Sequence, residues 1–189
     1  MKKILAILIL SFMVIAPLLA KKYETFSVYL LMIKNKNDFD DQDMNILKLH
    51  DNNGRTIAHA LARESSMWLP YKGTLLNTIN TEVLKFADNN GITVAHVLAR
   101  TRMGWNTEDF SILQLKSIDG YTVAHNLAMY QKTWGTNDPT ILALANNKGD
   151  TVAHFLARYS AKWRTQDLDI LSIANHNGET VADYLDKYK

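Results

Sequence analysis

A glycine that recurs at nearly constant spacing most constrains what this 189-residue chain can fold into. Successive glycines stand 37, 29, 29 and 29 residues apart, at Gly54, Gly91, Gly120, Gly149 and Gly178. The second position after each holds a threonine: Thr56, Thr93, Thr122, Thr151 and Thr180. The fifth position holds His59, His96, His125, His154 and finally Asp183. This period predicts stacked repeats, because one short unit can bury its apolar face only against its neighbours.

Each repeat predicts two short helices. Helix A follows the threonine, a good N-cap, through small and apolar residues, as in Thr151 to Arg158. Helix B is predicted from apolar residues at positions i, i+1 and i+3: Ile46/Leu47/Leu49, Val83/Leu84/Phe86, Ile112/Leu113/Leu115, Ile141/Leu142/Leu144 and Ile170/Leu171/Ile173. A short polar residue three positions before each set is expected to cap helix B: Asp43, Asn80, Asp109, Asp138 and Asp167.

The repeats predict one domain over residues 21–189. It comprises a degenerate cap at 27–50, repeats that start near 51, 88, 117 and 146, and a terminal half-repeat at 175–189. The wider first spacing predicts an inserted loop at about Leu69 to Asn77. Insertions of this kind often carry binding residues.

Residues 1–20 are typical of an export signal. Lys2 and Lys3 precede an apolar run from Ile4 to Leu19, which is short for a membrane-spanning helix of about 20 residues. We expect cleavage after Ala20, with an uncleaved N-terminal anchor as the alternative. The chain has no cysteine, which excludes disulfides and a lipid-bearing cysteine. The sequence therefore predicts a periplasmic or secreted bacterial protein.

The charge balance disfavours nucleic acid as a partner. The chain carries 21 Lys and Arg against 19 Asp and Glu, and loss of Lys2 and Lys3 with the signal would leave 19 of each. Basic residues are interspersed with acidic ones in every repeat, whereas a phosphate-binding surface requires a clustered basic excess. Contact with a membrane is expected only through the N-terminal segment, if that segment stays uncleaved.

The repeated tetrapeptides resemble the ankyrin repeat, whose hallmark is Thr-Pro-Leu-His after a glycine. They are TIAH at Thr56 to His59, TVAH at Thr93 to His96, Thr122 to His125 and Thr151 to His154, and TVAD at Thr180 to Asp183. The proline and leucine are replaced, and the unit is 29 residues long where an ankyrin repeat has about 33. The resemblance implies an all-α, ankyrin-like solenoid with short turns in place of projecting fingers.

The resemblance also implies a concave face that binds a protein partner. In ankyrin repeats this face includes the residue after the glycine and those four and five positions beyond the histidine. Arginine and tyrosine, which are enriched at binding hot spots, occupy several of these positions here. The expected partner-binding residues are Arg55, Arg63, Arg100, Tyr121, Tyr130, Arg158 and Tyr159.

The repeated histidines and tryptophans allow a second interpretation, as metal or ligand sites. Packed helices lie about 8–10 Å apart, whereas zinc–nitrogen bonds are about 2.0–2.1 Å, so histidines from successive repeats cannot share one ion. A histidine three residues after a threonine N-cap can instead bond back to the cap. The tryptophans, which are Trp68, Trp105, Trp134 and Trp163, are expected to pack between helices A and B.

The sequence favours a non-catalytic function. One Asp or His per repeat indicates capping, and no nucleophile-base pattern, phosphate-binding glycine loop or metal motif accompanies them. We therefore expect no enzyme activity, no cofactor and no metal. The predicted function is an exported protein-binding module, either an inhibitor or immunity protein or a scaffold subunit of an envelope complex. The alternative is an envelope protein that binds metal or a small ligand through the histidine and tryptophan rows.

Overall fold

A computed structural model describes Ser27 and residues 44–68, 81–101 and 104–188 of the chain. For residues 64–68 the description covers the backbone alone. The predicted signal segment at 1–20, most of the degenerate cap and the predicted loop from Leu69 to Asn77 lie outside the described residues.

The described residues form helices that alternate between one turn and two or more turns. In chain order they are α1 (Met44–Leu47), α2 (Ile57–Trp68), α3 (Thr81–Leu84), α4 (Val94–Thr101), α5 (Phe110–Leu113), α6 (Val123–Tyr130), α7 (Pro139–Leu142), α8 (Val152–Tyr159), α9 (Leu168–Leu171) and α10 (Val181–Tyr188). Within the described ranges, β pairing is limited to isolated bridges. The predicted all-α class is therefore confirmed for this part of the chain.

The even-numbered helices, which are the predicted A helices, pack in sequence order, each against the next. Their contact faces are small and apolar, as in α8, where Val152, Ala153, Leu156 and Ala157 are fully buried. Alanine at these positions lets neighbouring helices approach closely without an internal void. The core of the described residues thus runs along the stack of A helices and is flanked by the one-turn helices.

The odd-numbered helices, which are the predicted B helices, begin at their predicted caps. Asp109, Asp138 and Asp167 each accept a hydrogen bond at the side chain from a backbone N–H in the first turn. These three caps are confirmed, whereas Asp43 and Asn80 lie outside the described residues. A carboxylate there satisfies an N–H that has no partner inside the helix and complements its positive end.

The predicted length of helix B was wrong at its C-terminal end. The third apolar residue of each set follows the helix instead of belonging to it, as Leu115 follows Leu113 and the C-cap Gln114. The side chain of Leu115 still packs against the core. Its carbonyl accepts the N–H of Val123, the first residue of α6, at 3.2 Å. The residue is apolar because it is buried beside the start of the next A helix.

Short turns connect each odd-numbered helix to the following A helix, as the ankyrin-like frame predicted. Each turn is closed by one antiparallel bridge to the threonine cap, such as Lys116 to Thr122. Turns of successive repeats also bond to each other through the backbone, since the N–H of Asn147 donates to the carbonyl of Asp119 at 3.2 Å. Gly120 lies at this contact with φ at 80°. An added Cβ would lie 2.6 Å from the backbone nitrogen of Asn147.

We expect Gly120→Ala to destabilise the protein more than Gly178→Ala. Both glycines have a φ of 80°, so both substitutions incur the left-handed backbone cost of about 1–2 kcal/mol. Of the two, only Gly120 would bring an added Cβ against a neighbouring repeat, because no atom lies within 4 Å of a Cβ built at Gly178. Urea denaturation should show an additional loss of about 1–3 kcal/mol for Gly120→Ala. Equal losses in the two variants would contradict the close approach of the turns.

Candidate protein-binding surface

The A helices α2, α4, α6 and α8 are each fixed at the N-terminus by a buried histidine that also contacts the next repeat. At α6, the N–H of Thr122 donates to Nδ1 of His125 at 3.1 Å, and Nε2 of His125 lies 3.0 Å from the carbonyl oxygen of Asp150. Because Nδ1 accepts, the ring proton belongs on Nε2, which donates to that carbonyl. The same bridge joins His59 to Ile92, His96 to Tyr121 and His154 to Glu179, at 2.9, 3.0 and 3.1 Å.

The predicted capping role of the histidines is therefore confirmed in all four repeats. Asp183 performs the capping part alone, accepting from the N–H and the hydroxyl of Thr180 at 2.7 Å each. Both ring nitrogens of each histidine are engaged within the protein. In the described ranges, no group of three His, Cys, Asp or Glu side chains is arranged to hold a metal ion.

Burial lowers the pKa of these four histidines. Removal from water disfavours the charged ring and lowers the pKa of His125 to about 4, against 6.5 in an exposed peptide. Burial is also the main cause that lowers the pKa of His59, His96 and His154. The histidines are thus neutral hydrogen-bonding groups at neutral pH.

The opposite, C-terminal ends of the A helices carry exposed arginine and tyrosine side chains, which we call the Arg-Tyr row. It consists of Arg100, Tyr130, Arg158, Tyr159 and Tyr188. Its arginines are the seventh residues of α4 and α8, and its tyrosines are the eighth residues of α6, α8 and α10. Tyr130, Tyr159 and Tyr188 are 43%, 41% and 38% exposed.

Cation–π contacts order the Arg-Tyr row across repeats. The guanidinium of Arg100 lies 5.7 Å from the ring centre of Tyr130, which belongs to the next repeat. Arg158 lies 5.1 Å from the ring of Tyr159 and 5.0 Å from that of Tyr188, again in the next repeat. Such contacts stabilise exposed side chains by about 0.5–1 kcal/mol and hold the tyrosines in defined positions.

The structure places the seven predicted binding residues in different surroundings. Four of them, Arg100, Tyr130, Arg158 and Tyr159, belong to the Arg-Tyr row. Arg63 is exposed on α2. The remaining two directly follow a repeat glycine. Arg55 is exposed and forms an ion pair with Asp51 of its own turn at 2.6 Å. Tyr121 is half-buried, with its ring edge-on to His125 and Phe155 at 5.9 and 5.7 Å.

Sequence reasoning missed Tyr188, although its signal was present. Tyr188 lies five positions beyond Asp183, as Tyr159 lies five beyond His154. The predicted binding positions are counted from the histidine of each repeat, and the terminal half-repeat has Asp183 at the histidine position. Counting from the cap position rather than from the histidine finds this residue.

A groove adjoins the row between two successive loops that connect an A helix to the following short helix. It has a volume of about 790 Å³ and is lined by residues 132–135 and 159–163. We call it the indole groove, because Trp134 and Trp163 line it together with Tyr159. Lys132 and Lys162 are the lining residues that carry charge.

Hydrogen bonds hold both walls of the indole groove in place. The N–H groups of Trp134 and Trp163 close tight turns by donating to the carbonyls of Gln131 and Ser160 at 3.0 and 3.2 Å. The indole Nε1 of Trp163 donates across the groove to the carbonyl of Thr136 at 3.0 Å. The groove walls are therefore positioned by backbone contacts, independently of any ligand.

The tryptophans follow the packing prediction where they are described. Trp105 and Trp163 are 8% and 7% exposed and belong to the core, which confirms the prediction for these two. Trp134 is half-buried and packs against the core from the groove side. The side chain of Trp68 lies outside the description.

No family model matches the sequence, and no curated protein matches it. Among solved structures, the fold is similar to a chain from a complex described as a predatory endopeptidase from Bdellovibrio bacteriovorus with an immunity protein. The two chains share 20% identity with a TM-score of 0.44, over 84% of this chain and 83% of that chain. A likeness of this size assigns neither family nor function. Across the described ranges, every helix is too short or too polar to cross a membrane.

Acidification should weaken the fold through His125. Because its pKa is about 4 in the folded protein and about 6.5 in the unfolded chain, the unfolded state binds more protons between these values. The stabilisation is complete above pH 6.5 and is lost as the pH falls towards 4. His125 alone should remove about 2–3 kcal/mol from the free energy of unfolding between pH 7 and pH 4.5.

Urea denaturation over this pH range tests the assignment. His125→Asn removes the ring that titrates, so the fall in stability with acid should be smaller by that amount than in the wild type. His176→Asn changes an exposed histidine in a turn and should leave the fall unchanged. The same pH dependence in His125→Asn and wild type would rule out a buried neutral imidazole as its cause.

Proposed function

We propose that the chain is an exported, ankyrin-like solenoid that binds a protein partner across its concave face, without catalysis. The observation that carries this proposal is the Arg-Tyr row, in which charged and aromatic side chains stay exposed at equivalent positions of successive A helices. Within this class it would act as an inhibitor or immunity protein, or as a scaffold subunit of an envelope complex.

The chemistry of the row favours a protein partner. Arginine and tyrosine are enriched at binding hot spots, since each combines a large apolar area with hydrogen-bonding groups. Tyr130, Tyr159 and Tyr188 leave about two fifths of their surface in water, and burial of such rings contributes strongly to association. Ordering of the side chains by Arg100 and Arg158 lowers the entropy that a partner must overcome.

The state of the polar residues supports a non-catalytic role. The repeated histidines use both ring nitrogens to join one repeat to the next. The aspartates at the short helices accept backbone N–H groups, as Asp138 does from Thr140 at 2.8 Å. Side chains committed in this way stabilise the fold and are not free to act as a general acid or base.

Affinity capture from the protein's own cell envelope tests the proposal. The bait is the protein as its own cells process it, beside a row variant with Arg100→Glu, Tyr130→Ala and Arg158→Glu. We expect the wild type to retain a stoichiometric protein partner. The row variant should bind it at least about a hundredfold more weakly, since each of its three hot-spot changes typically costs about 1–2 kcal/mol or more.

A matched edge variant controls for charge and for surface area. Lys116→Glu, Ile118→Ala and Lys148→Glu make the same charge change and remove one exposed apolar side chain at the glycine turns. This variant should keep the partner. Absence of any partner with folded wild-type bait would overturn the proposed function, and equal capture by the row variant would place the binding surface elsewhere.

A further inference from the structure

The indole groove lies at the edge of the stack opposite the glycine turns. Its lining residues include Lys132 and Lys162 but no Asp or Glu, and Arg158 and Arg164 directly flank the lining stretch 159–163. The next acidic residues along the chain are Asp138 and Asp167, whose carboxylates are occupied by backbone N–H groups of α7 and α9. A chain with nearly balanced charge therefore has a local basic excess at this groove.

The apolar side of the groove is aromatic. The indoles of Trp134 and Trp163 and the ring of Tyr159 face the same space, which has about the volume of a few side chains of a bound peptide. Trp163 is held by its bond to the Thr136 carbonyl, so its ring is fixed before anything binds. Gly135 packs against Trp163 at this end of the groove, since a Cβ added at Gly135 would lie 3.6 Å from Cδ1 of Trp163.

The groove is continuous with the Arg-Tyr row. Tyr159 belongs to both, and its neighbour Arg158 contacts Tyr188 in the following repeat. The walls are also fixed from the preceding repeat. Gln131, directly before Lys132, donates from Nε2 to the carbonyl of Ala99 and accepts the N–H of Gly104 at Oε1, both at 2.8 Å. A partner on the row would therefore also reach the groove at Tyr159.

We propose that the indole groove binds an acidic segment of the protein partner, with an aromatic side chain against Trp134 and Tyr159 and carboxylates paired with Lys132 and Lys162. This inference rests on the proposed protein-binding function and locates part of it. Charge complementarity selects the acidic occupant, because the lining residues carry only positive charge. The aromatic lining selects a ring, since offset or edge contacts between aromatic groups add to the energy of burial.

A defined peptide tests the groove directly. The probe is a short fluorescein-labelled peptide of Asp and Glu residues around one central phenylalanine, titrated with the protein as its own cells process it and followed by anisotropy at low salt. Binding should saturate and weaken as salt is added. Lys132→Ala with Lys162→Ala should weaken it about tenfold, from the loss of two partly exposed ion pairs. Lys116→Ala with Lys148→Ala, at the glycine turns, should leave it unchanged.

Several outcomes would overturn the inference. The first is the absence of saturable binding, and the second is equal binding of a matching peptide made with Asn and Gln in place of Asp and Glu. The others are equal affinity of the lysine double variant and the wild type for the acidic peptide, and competition by a single-stranded oligonucleotide that binds more tightly than the peptide. Far-UV circular dichroism and the urea midpoint check that each variant is folded. Changing two exposed lysines should move neither, because neither side chain packs in the core.

A charge-reversed double variant of the same two lysines, used in the affinity capture, separates this inference from the proposed function. If Lys132→Glu with Lys162→Glu releases the envelope partner, as the row variant does, both stand. If the partner is lost by the row variant but held fully by the groove variant, the protein-binding function stands and the groove inference falls. If wild type holds no partner, the proposed function falls whatever the peptide does.

Discussion

The hydrogen bonds of one buried imidazole in each repeat hold the stack together. Through Nδ1, His125 accepts from the cap residue of its own helix, and through Nε2 it donates to the backbone of the next turn. Each histidine thus joins two repeats. Loss of either partner would leave a buried polar group unsatisfied, which costs about 1–3 kcal/mol. Because burial keeps its pKa low, the ring stays neutral and can both accept and donate. The helix that it caps presents the Arg-Tyr row at its other end.

The acceptor of this bridge explains why one repeat position varies freely. Nε2 donates to the backbone carbonyl of the residue after the glycine, and a residue of any type provides that carbonyl. This residue is Asp150 in one repeat, where it accepts from Asn175 at 2.7 Å and from Tyr184 at 3.2 Å. Burial with the nearby Asp150 and Glu179 charges raises the pKa of Tyr184 to about 12. In the preceding repeat the equivalent residue is Tyr121, which has no carboxylate. There Nδ2 of the buried Asn146, the counterpart of Asn175, has no hydrogen-bond partner among the described residues.

Local features of this fold could be predicted from the sequence, and features between repeats could not. The frame of glycine, threonine and histidine was sufficient for the A helices, the caps and the short turns, since each depends on residues a few positions apart. The predicted C-terminal end of helix B was wrong, because the apolar residue Leu115 packs against the core without being part of the helix. The cation–π contact of Arg100 with Tyr130 spans 30 residues of sequence, and the indole groove depends on how two loops face each other. The binding roles of the predicted residues stay a prediction.

Helix energetics alone account for part of the Arg-Tyr row. Arg100 and Arg158 lie in the last turns of their helices, where a cation offsets the partial negative charge of unpaired carbonyls. These residues would be favourable in a protein with no partner at all. An exposed tyrosine at the same end gains nothing from the helix dipole, and the burial that its ring requires is incomplete here. Tyr130 and Tyr159 are therefore the more informative members of the row. The helix dipole explains the cations, whereas the rings gain about 0.5–1 kcal/mol from their cation–π contacts, and exposed rings of this kind fit the proposed binding role.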